Sequence, residues 1–424
     1  MAGLKKTPIG EIPEDWEVVE LEEIAERFVG GGTPSTKKPE YWNGDIPWIT
    51  SAIISGYYIT DGEKYITEKG LNNSSTNIVP KGNIVVATRV GLGKAAITKI
   101  DVAINQDLTG VILKKELVDP EYLVRYVTSP FVVKFILSAA RGTTIKGISR
   151  KELAKLKIPL PPLPEQKKIA EILRTVDEDI EKTDEAIERT ERLKKGLMQR
   201  LLTKGIKHER FKKTELGEIP EEWRVVRLEE ISNIYYGLSQ PLPELESGVP
   251  MIRATNIRAG KVYREGLIKV DISELPANKR HVILQEGDII VVRSGAYTGD
   301  IGIISREFEG SIAGYDLIVR LNHEKAYPEY TTYYLLSPHV QSYFTTLRTR
   351  SAQPHLNSKQ LKNTKIPLPP LSEQKQIAEI LSTVDRKLEL LRKRREKLEK
   401  VKKGLMKDLL TGRRRVKHYG DQKI

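Results

Sequence analysis

Apolar and polar positions along this chain follow two spacings. Short β-branched runs bounded by Gly or Asp, at Asn83 to Ala87, Val111 to Leu113, Asp288 to Val292 and Leu317 to Leu321, predict strands. Helical spacing follows each set, at Pro120 to Ala140 and at Pro328 to Leu347. From Glu165 to about Thr203 there is no Pro and one Gly, and Leu173, Val176, Ile180, Thr183, Ile187, Thr190, Leu197 and Leu201 fall on heptad spacing. Leu381, Val384, Leu388, Leu391, Leu398, Leu405 and Leu409 give a second seam, and charged residues surround both, as a coiled coil requires. Lys194 and Lys402 interrupt the seams at equal depth, and Arg395 takes the place matching Ile187, exceptions suited to fixing register.

The two sets of elements are copies. IGEIPEDWEVVELEEIA from Ile9 recurs as LGEIPEEWRVVRLEEIS from Leu216, and KIPLPPLPEQKKIAEILRTVDEDIE from Lys157 recurs as KIPLPPLSEQKQIAEILSTVDRKLE from Lys365. KKGLMQRLLT from Lys194 returns as KKGLMKDLLT from Lys402. Between these anchors the halves have drifted, leaving traces in Ile46-Pro-Trp-Ile against Val249-Pro-Met-Ile and Gly82-Asn-Ile-Val-Val-Ala against Gly287-Asp-Ile-Ile-Val-Val. Kept ends with unlike interiors suggest that the interiors read different things.

The predicted class is α+β: two similar mixed α/β domains related by an approximate dyad and separated by two long helices in an antiparallel coiled coil. The segments are a first domain over 1–156, a Pro-rich lead and helix over 157–208, a second domain over 209–364, and a Pro-rich lead, helix and basic tail over 365–424. The Pro-rich pieces Ile158 to Pro164 and Ile366 to Leu371 cannot be helix interiors, so they read as stiff leads, with Pro164 suited to the first helical position and Ser372 to an N-cap. A helix of about 39 residues is roughly 58 Å long, while the linker Lys204 to Glu215 reaches only about 40 Å when extended, which favours antiparallel helices over parallel ones.

Composition narrows the function. The chain of 424 residues has no Cys, which removes disulfides and thiol chemistry and fits a cytoplasmic setting. Met1 to Asp15 lacks the apolar core of a signal peptide, and no stretch approaches a membrane span of about eighteen apolar residues. The net charge of +13 points to an acidic partner, although Arg392 to Ile424 alone holds fourteen basic residues against four acids. Two local stretches at matching places in the repeat are more informative. Lys134 to Lys157 holds seven basic residues and one acid, and Gln341 to Lys365 holds five and none.

The IGEIPEDWEVV segment, GGTPSTKKPEYWNGDIPWI from Gly31, GNIVVATRVGLGKAAI from Gly82, Asn105-Gln106 and the doubled PLPPLxEQxxIAxIL resemble type I restriction-modification specificity subunits over essentially the whole chain. The resemblance implies two target-recognition domains, each reading one half of a bipartite site in double-stranded DNA, with the helices setting the unread gap. It also implies a non-catalytic subunit without cofactor or metal, working with two methyltransferase subunits and with restriction subunits that translocate and cut. The second half departs from the pattern, with Gly237-Leu-Ser-Gln-Pro-Leu-Pro in place of the GGTPS…YW loop.

Other readings fit less well. Phe28-Val-Gly-Gly-Gly-Thr superficially matches a methyltransferase glycine loop, but no Asn-Pro-Pro-Tyr or Asp-Pro-Pro-Tyr segment is there to hold a flipped adenine. Gly91-Leu-Gly-Lys94 lacks phosphate-loop spacing and reads as a hairpin tip, and six scattered His form no metal-like cluster. A coiled-coil scaffold without DNA readout is the remaining rival. If DNA is read, forked and amide side chains on loops carry base contacts, while Lys, Ser and Thr hold phosphates. The first-half candidates are Thr33, Ser35, Lys37, Arg89, Lys94, Arg141, Thr143, Thr144 and Lys146. Those of the second half are Arg253, Asn256, Arg258, Arg293, Tyr297, Arg348, Arg350, Gln353 and His355. Asn105 and Gln106 could equally hold a turn. Glu11 to Glu26, with eight acids and no base, is a face for protein rather than DNA.

Overall fold

A computed structural model describes residues 3–141, 146–240, 242–273, 275–349 and 355–416, without the side chains of 347–349. The chain forms two units, Met1–Asp184 with Lys393–Ile424, and Glu185–Arg392. Each holds one globular domain and parts of both long helices, Leu163–Lys204 and Leu371–Leu409.

In the first unit a five-stranded sheet runs in the order Ala25–Gly30, Leu108–Leu113, Ile84–Ala87, Ala95–Thr98, Tyr58–Ile59. A second sheet has four strands, with Val102–Ile104 parallel to Trp42–Ile49. Alternation explains why Ile84–Ala87 is buried throughout. Ile84 and Val86 face the core shared with the helices, while Val85 and Ala87 face the core between the sheets. The second unit repeats the scheme: Ile289 and Val291 join the helix-side core, and Ile290 and Val292 the other. Its sheets have four and three strands, with Ile312–Ala313 again parallel to Glu244–Ile252.

Four expectations need correction. Each long helical pattern is two helices, Pro120–Val127 with Pro130–Ala139 and Pro328–Leu335 with Pro338–Thr349. Pro130 and Pro338 have no N–H to continue the preceding helix, so each opens a new one. The Pro-rich leads are partly strand: Lys157–Leu160 pairs antiparallel with Glu17–Glu20, and Lys365–Leu368 with Arg224–Arg227. These are two-stranded ribbons, where a missing donor costs least. Ser372 is not an N-cap, because the helix starts at Leu371 and the Pro370 carbonyl accepts from Glu373 and Gln374. Pro162 receives the same two bonds from Glu165 and Gln166, which puts Pro164 at the second helical position.

The doubled Glu-Gln pair explains why this motif recurs. Gln166 is fully buried; its Oε1 accepts from Asp119 N at 2.8 Å and its Nε2 donates to the Leu117 and Pro161 carbonyls. Gln374 repeats this with Tyr327 N and the Lys325 and Pro369 carbonyls. Glu165 accepts from the Trp16 indole at 3.1 Å and Glu373 from that of Trp223 at 3.0 Å. Both indoles are fully buried, and removing either ring would cost about 3–5 kcal/mol.

Within each unit the long helices run antiparallel. In the first, Asp177 meets Lys402 at 2.8 Å and Asp184 meets Arg395 at 2.5 Å, so rising numbers on one helix face falling numbers on the other. In the second, Lys194 meets Asp385 at 2.6 Å and Glu191 meets Arg392. The polar interruptions of the seam therefore each have a partner on the opposite helix. No described helix is long and apolar enough to cross a membrane.

Candidate nucleic-acid interface

Four of the first-domain candidates, Thr33, Arg89, Lys94 and Arg141, meet at one edge. The hairpin Ile84–Ala87 to Ala95–Thr98 turns through Gly91 and Gly93, both at positive φ, and carries Arg89 and Lys94. Lys94 Nζ donates to the Ser51 carbonyl at 3.2 Å. Beside Arg89 runs the returning chain, where Ile148 N donates to Thr88 O at 2.9 Å and Arg141 bridges to Gly147. A turn at Asn105 to Leu108 completes the edge. Arg89 lies 3.8 Å from Asp107, and Gln106 Oε1 accepts from the Thr33 hydroxyl at 2.6 Å. Asn105 is buried and ties the turn through Asp107, whereas Gln106 is exposed.

Arg141 and Lys146 are exposed, Arg141 near Glu152 at 3.7 Å. All seven basic residues of the Lys134 to Lys157 stretch are exposed. Ser35 and Lys37 lie apart on the loop before Trp42, whose indole donates to the Ser35 carbonyl. Thr143 and Thr144 fall outside the described residues.

The second domain builds a corresponding edge from other side chains. Arg293 occupies the place of Thr88: its carbonyl accepts from Leu356 N at 2.8 Å, as Thr88 O does from Ile148 N. His355 then stands where the first domain has Gly147, bridging to Ser294. The Arg293 guanidinium stacks on Tyr315 at 4.0 Å and on Tyr236 at 4.9 Å, and its Nη2 donates to the Tyr315 hydroxyl at 3.1 Å and to His355 Nε2 at 3.2 Å. Hydrogen bonding from Ser358 holds the Tyr236 phenol below its usual value, and the Arg293 charge adds to this. Beneath lies Asp316, whose carboxylate accepts from Arg293 N at 3.1 Å and which burial pushes up to about 6.

Tyr297 is exposed at the tip of the adjoining hairpin. Asn256 is fully buried; its amide donates to the Glu265 carbonyl and accepts from Arg253 N, so it builds a turn instead of facing solvent. Arg253 donates to the Gly266 carbonyl, and Arg258 pairs with Glu265 over the Tyr263 ring. The Arg348 side chain, Arg350 and Gln353 fall outside the described residues.

Sequence reasoning missed Tyr236 and Tyr315, because Tyr reads equally well as core. The available signal was the glycine nearby. A Cβ on Gly31 would collide with the Ile104 and Asn105 carbonyls, and one on Gly237 with that of Gly314, so these glycines let the backbone approach the turn at Asn105 and its counterpart at Gly314. Within the run Phe28 to Thr33, Gly32 is closed in separately by Ser75.

Two copies of one backbone frame with unlike outward side chains define a protein that carries two different recognition surfaces. The chain belongs to the type I restriction modification DNA specificity domain family, which matches it twice, over residues 13–189 and 220–400. The type I restriction enzyme MjaVIII specificity subunit of Methanocaldococcus jannaschii is 33% identical over 425 residues, covering 96% of this chain and 95% of that one. The solved S subunit of a type I restriction-modification system from M. genitalium shares the fold, with a TM-score of 0.58 at 18% identity over 93% of this chain and 96% of that one. A chain of another solved type I R-M system gives 0.59 at 19% identity, covering 95% and 99%.

Proposed function

We propose that this chain is the DNA-specificity subunit of a type I restriction-modification complex, supplying recognition and not catalysis. Each domain reads one half of a bipartite, asymmetric site, and the two long helices set the unread gap. The observation that supports this best is the shared frame at Thr88 and Arg293, which presents different side chains in the two domains. A scaffold without DNA readout would have no use for that divergence, and the family match spans both globular domains.

The partners in this reading are two methyltransferase subunits, and restriction subunits joined with them. Seven of the eight acids from Glu11 to Glu26 are exposed, a surface that repels DNA and suits a protein partner. Asp15 is already engaged by Arg415. Charge reversal at Glu22 and Glu23 should abolish co-purification with a methyltransferase subunit, and unchanged co-purification would remove this face from the assembly.

Gel-shift of the full chain on random duplex tests the main reading. A reader binds at low salt with an affinity that falls steeply as salt rises. DNA that stays unshifted at low salt would end the proposal.

A further inference from the structure

The turn that enters the central strand of each domain differs by one residue. Asn105 N donates to Ile49 O and Gly314 N to Ile252 O, which marks the start of the turn in each. On the far side, Val111 pairs with Ile84 and Val319 with Ile289. Counting between these fixed points, Gln106 and Asp107 stand where the second domain has Tyr315 alone. In both domains the turn meets an arginine from the neighbouring hairpin, Arg89 at Asp107 and Arg293 at Tyr315.

We propose that this turn is the base-reading element of each domain, Gln106 recognising an adenine in one half-site and Tyr315 with Arg293 a guanine in the other. The inference rests on the DNA-specificity reading above and deepens it.

The donor and acceptor pattern makes the assignment. A carboxamide presents one acceptor and one donor side by side, which matches the N6 donor and N7 acceptor of adenine in the major groove. The Thr33 hydroxyl donates to Gln106 Oε1 and uses only one of its two lone pairs. Both amide protons and the second lone pair stay available on an exposed side chain.

In the second domain the Tyr315 oxygen accepts from Arg293, so its own proton is free to be given away. The Arg293 guanidinium is held between two rings, its Nη2 is occupied, its Nε is buried, and among the described residues its Nη1 has no protein acceptor. Two adjacent donors, Tyr315 O–H and Arg293 Nη1–H, match the two acceptors O6 and N7 that distinguish guanine.

The test is selection of bound sequences from a random duplex library by the full chain and by the variants Gln106→Ala and Tyr315→Phe. Both side chains are exposed, and unchanged thermal melting would show that folding is intact. Gln106→Ala should lower the preference for one adenine in one half-site by about tenfold or more, and Tyr315→Phe the preference for one guanine in the other half-site by about as much. Thr33→Val, which removes the bond that holds the carboxamide in place, should weaken the same adenine preference as Gln106→Ala. If the wild type selects a split motif that the variants leave unchanged, or if Gln106→Ala relaxes a G·C pair or Tyr315→Phe an A·T pair, this inference fails alone. If the wild type selects no sequence at all, the function proposed above fails with it.

Discussion

The helix-side core of the two units is nearly the same object, while their outer edges are not. Asp177 in the first unit and Asp385 in the second occupy equivalent places, and each takes a Lys from the opposite helix. Each also meets the globular domain at one equivalent position, through Arg125 in the first and the Tyr333 hydroxyl in the second. At the edge the equivalence breaks down: Thr88 corresponds to Arg293, and Gly147 to His355. Residues that orient the domain on its helix kept a polar contact to the same aspartate, and residues at the outer edge did not keep theirs. Unlike side chains on one shared frame are expected where that edge does the discriminating.

The largest test of this division acts on the shared part. Removing one heptad from each helix takes away about 10 Å and should shift the preferred gap by roughly three base pairs, leaving both half-site sequences unchanged. An unchanged gap in selected sites would end the spacing role of the helices. Next in size is Asp177→Ala, which leaves Lys402 unpaired and Arg125, only 1% exposed, with Glu121 alone. Arg125 keeps Glu121 and Lys402 is only partly buried, so the loss read by urea unfolding of the first unit should be about 1–3 kcal/mol. Asp385→Ala leaves the neutral Tyr333 in the place of Arg125 and should cost distinctly less; equal losses would mean that the two knots are equivalent after all.

Asp316 separates the two edges by pH. Its folded value of about 6 lies above that of an unfolded Asp, so folding takes up a proton there. Its contribution to stability is full below about pH 4 and is lost as pH rises through 6, on the order of 3 kcal/mol in all. Asp316→Asn should flatten this dependence in thermal melts between pH 4 and 7, and an identical profile for the variant would place the titration elsewhere. The smallest effect is Arg293→Ala, which should relax one half-site by about 2 kcal/mol and leave the other as it was. Equal loss in both halves would show that the domains do not read independently.

Much of the fold was legible because the duplication anchors it. Strands such as Leu317–Leu321 announced themselves through β-branched runs, and the helix seams through their heptads. The helix breaks at Pro130 and Pro338 were harder, because proline at a first helical position looks the same as proline that ends a helix. The edges were legible only in part. Arg89 and Arg293 stood out as basic residues in turns, but the role proposed for Tyr315 depends on a one-residue difference between turns that no local spacing reveals. Asn256 misled for the opposite reason: an amide in a polar loop suggests readout, yet three residues from Arg253 it closes a turn and is sealed inside.

The buried carboxamides of Gln166 and Gln374 have one more effect. By tying the first turn of each long helix to the loop ahead of Pro120 or Pro328, they set the azimuth at which a domain projects from its helix. Each residue added to an α-helix rotates whatever follows by about 100°. An insertion of two residues would therefore swing a domain to the far side of the axis, whereas seven nearly restore its phase. Evolution of a new gap length in this architecture should proceed in quanta of whole turns.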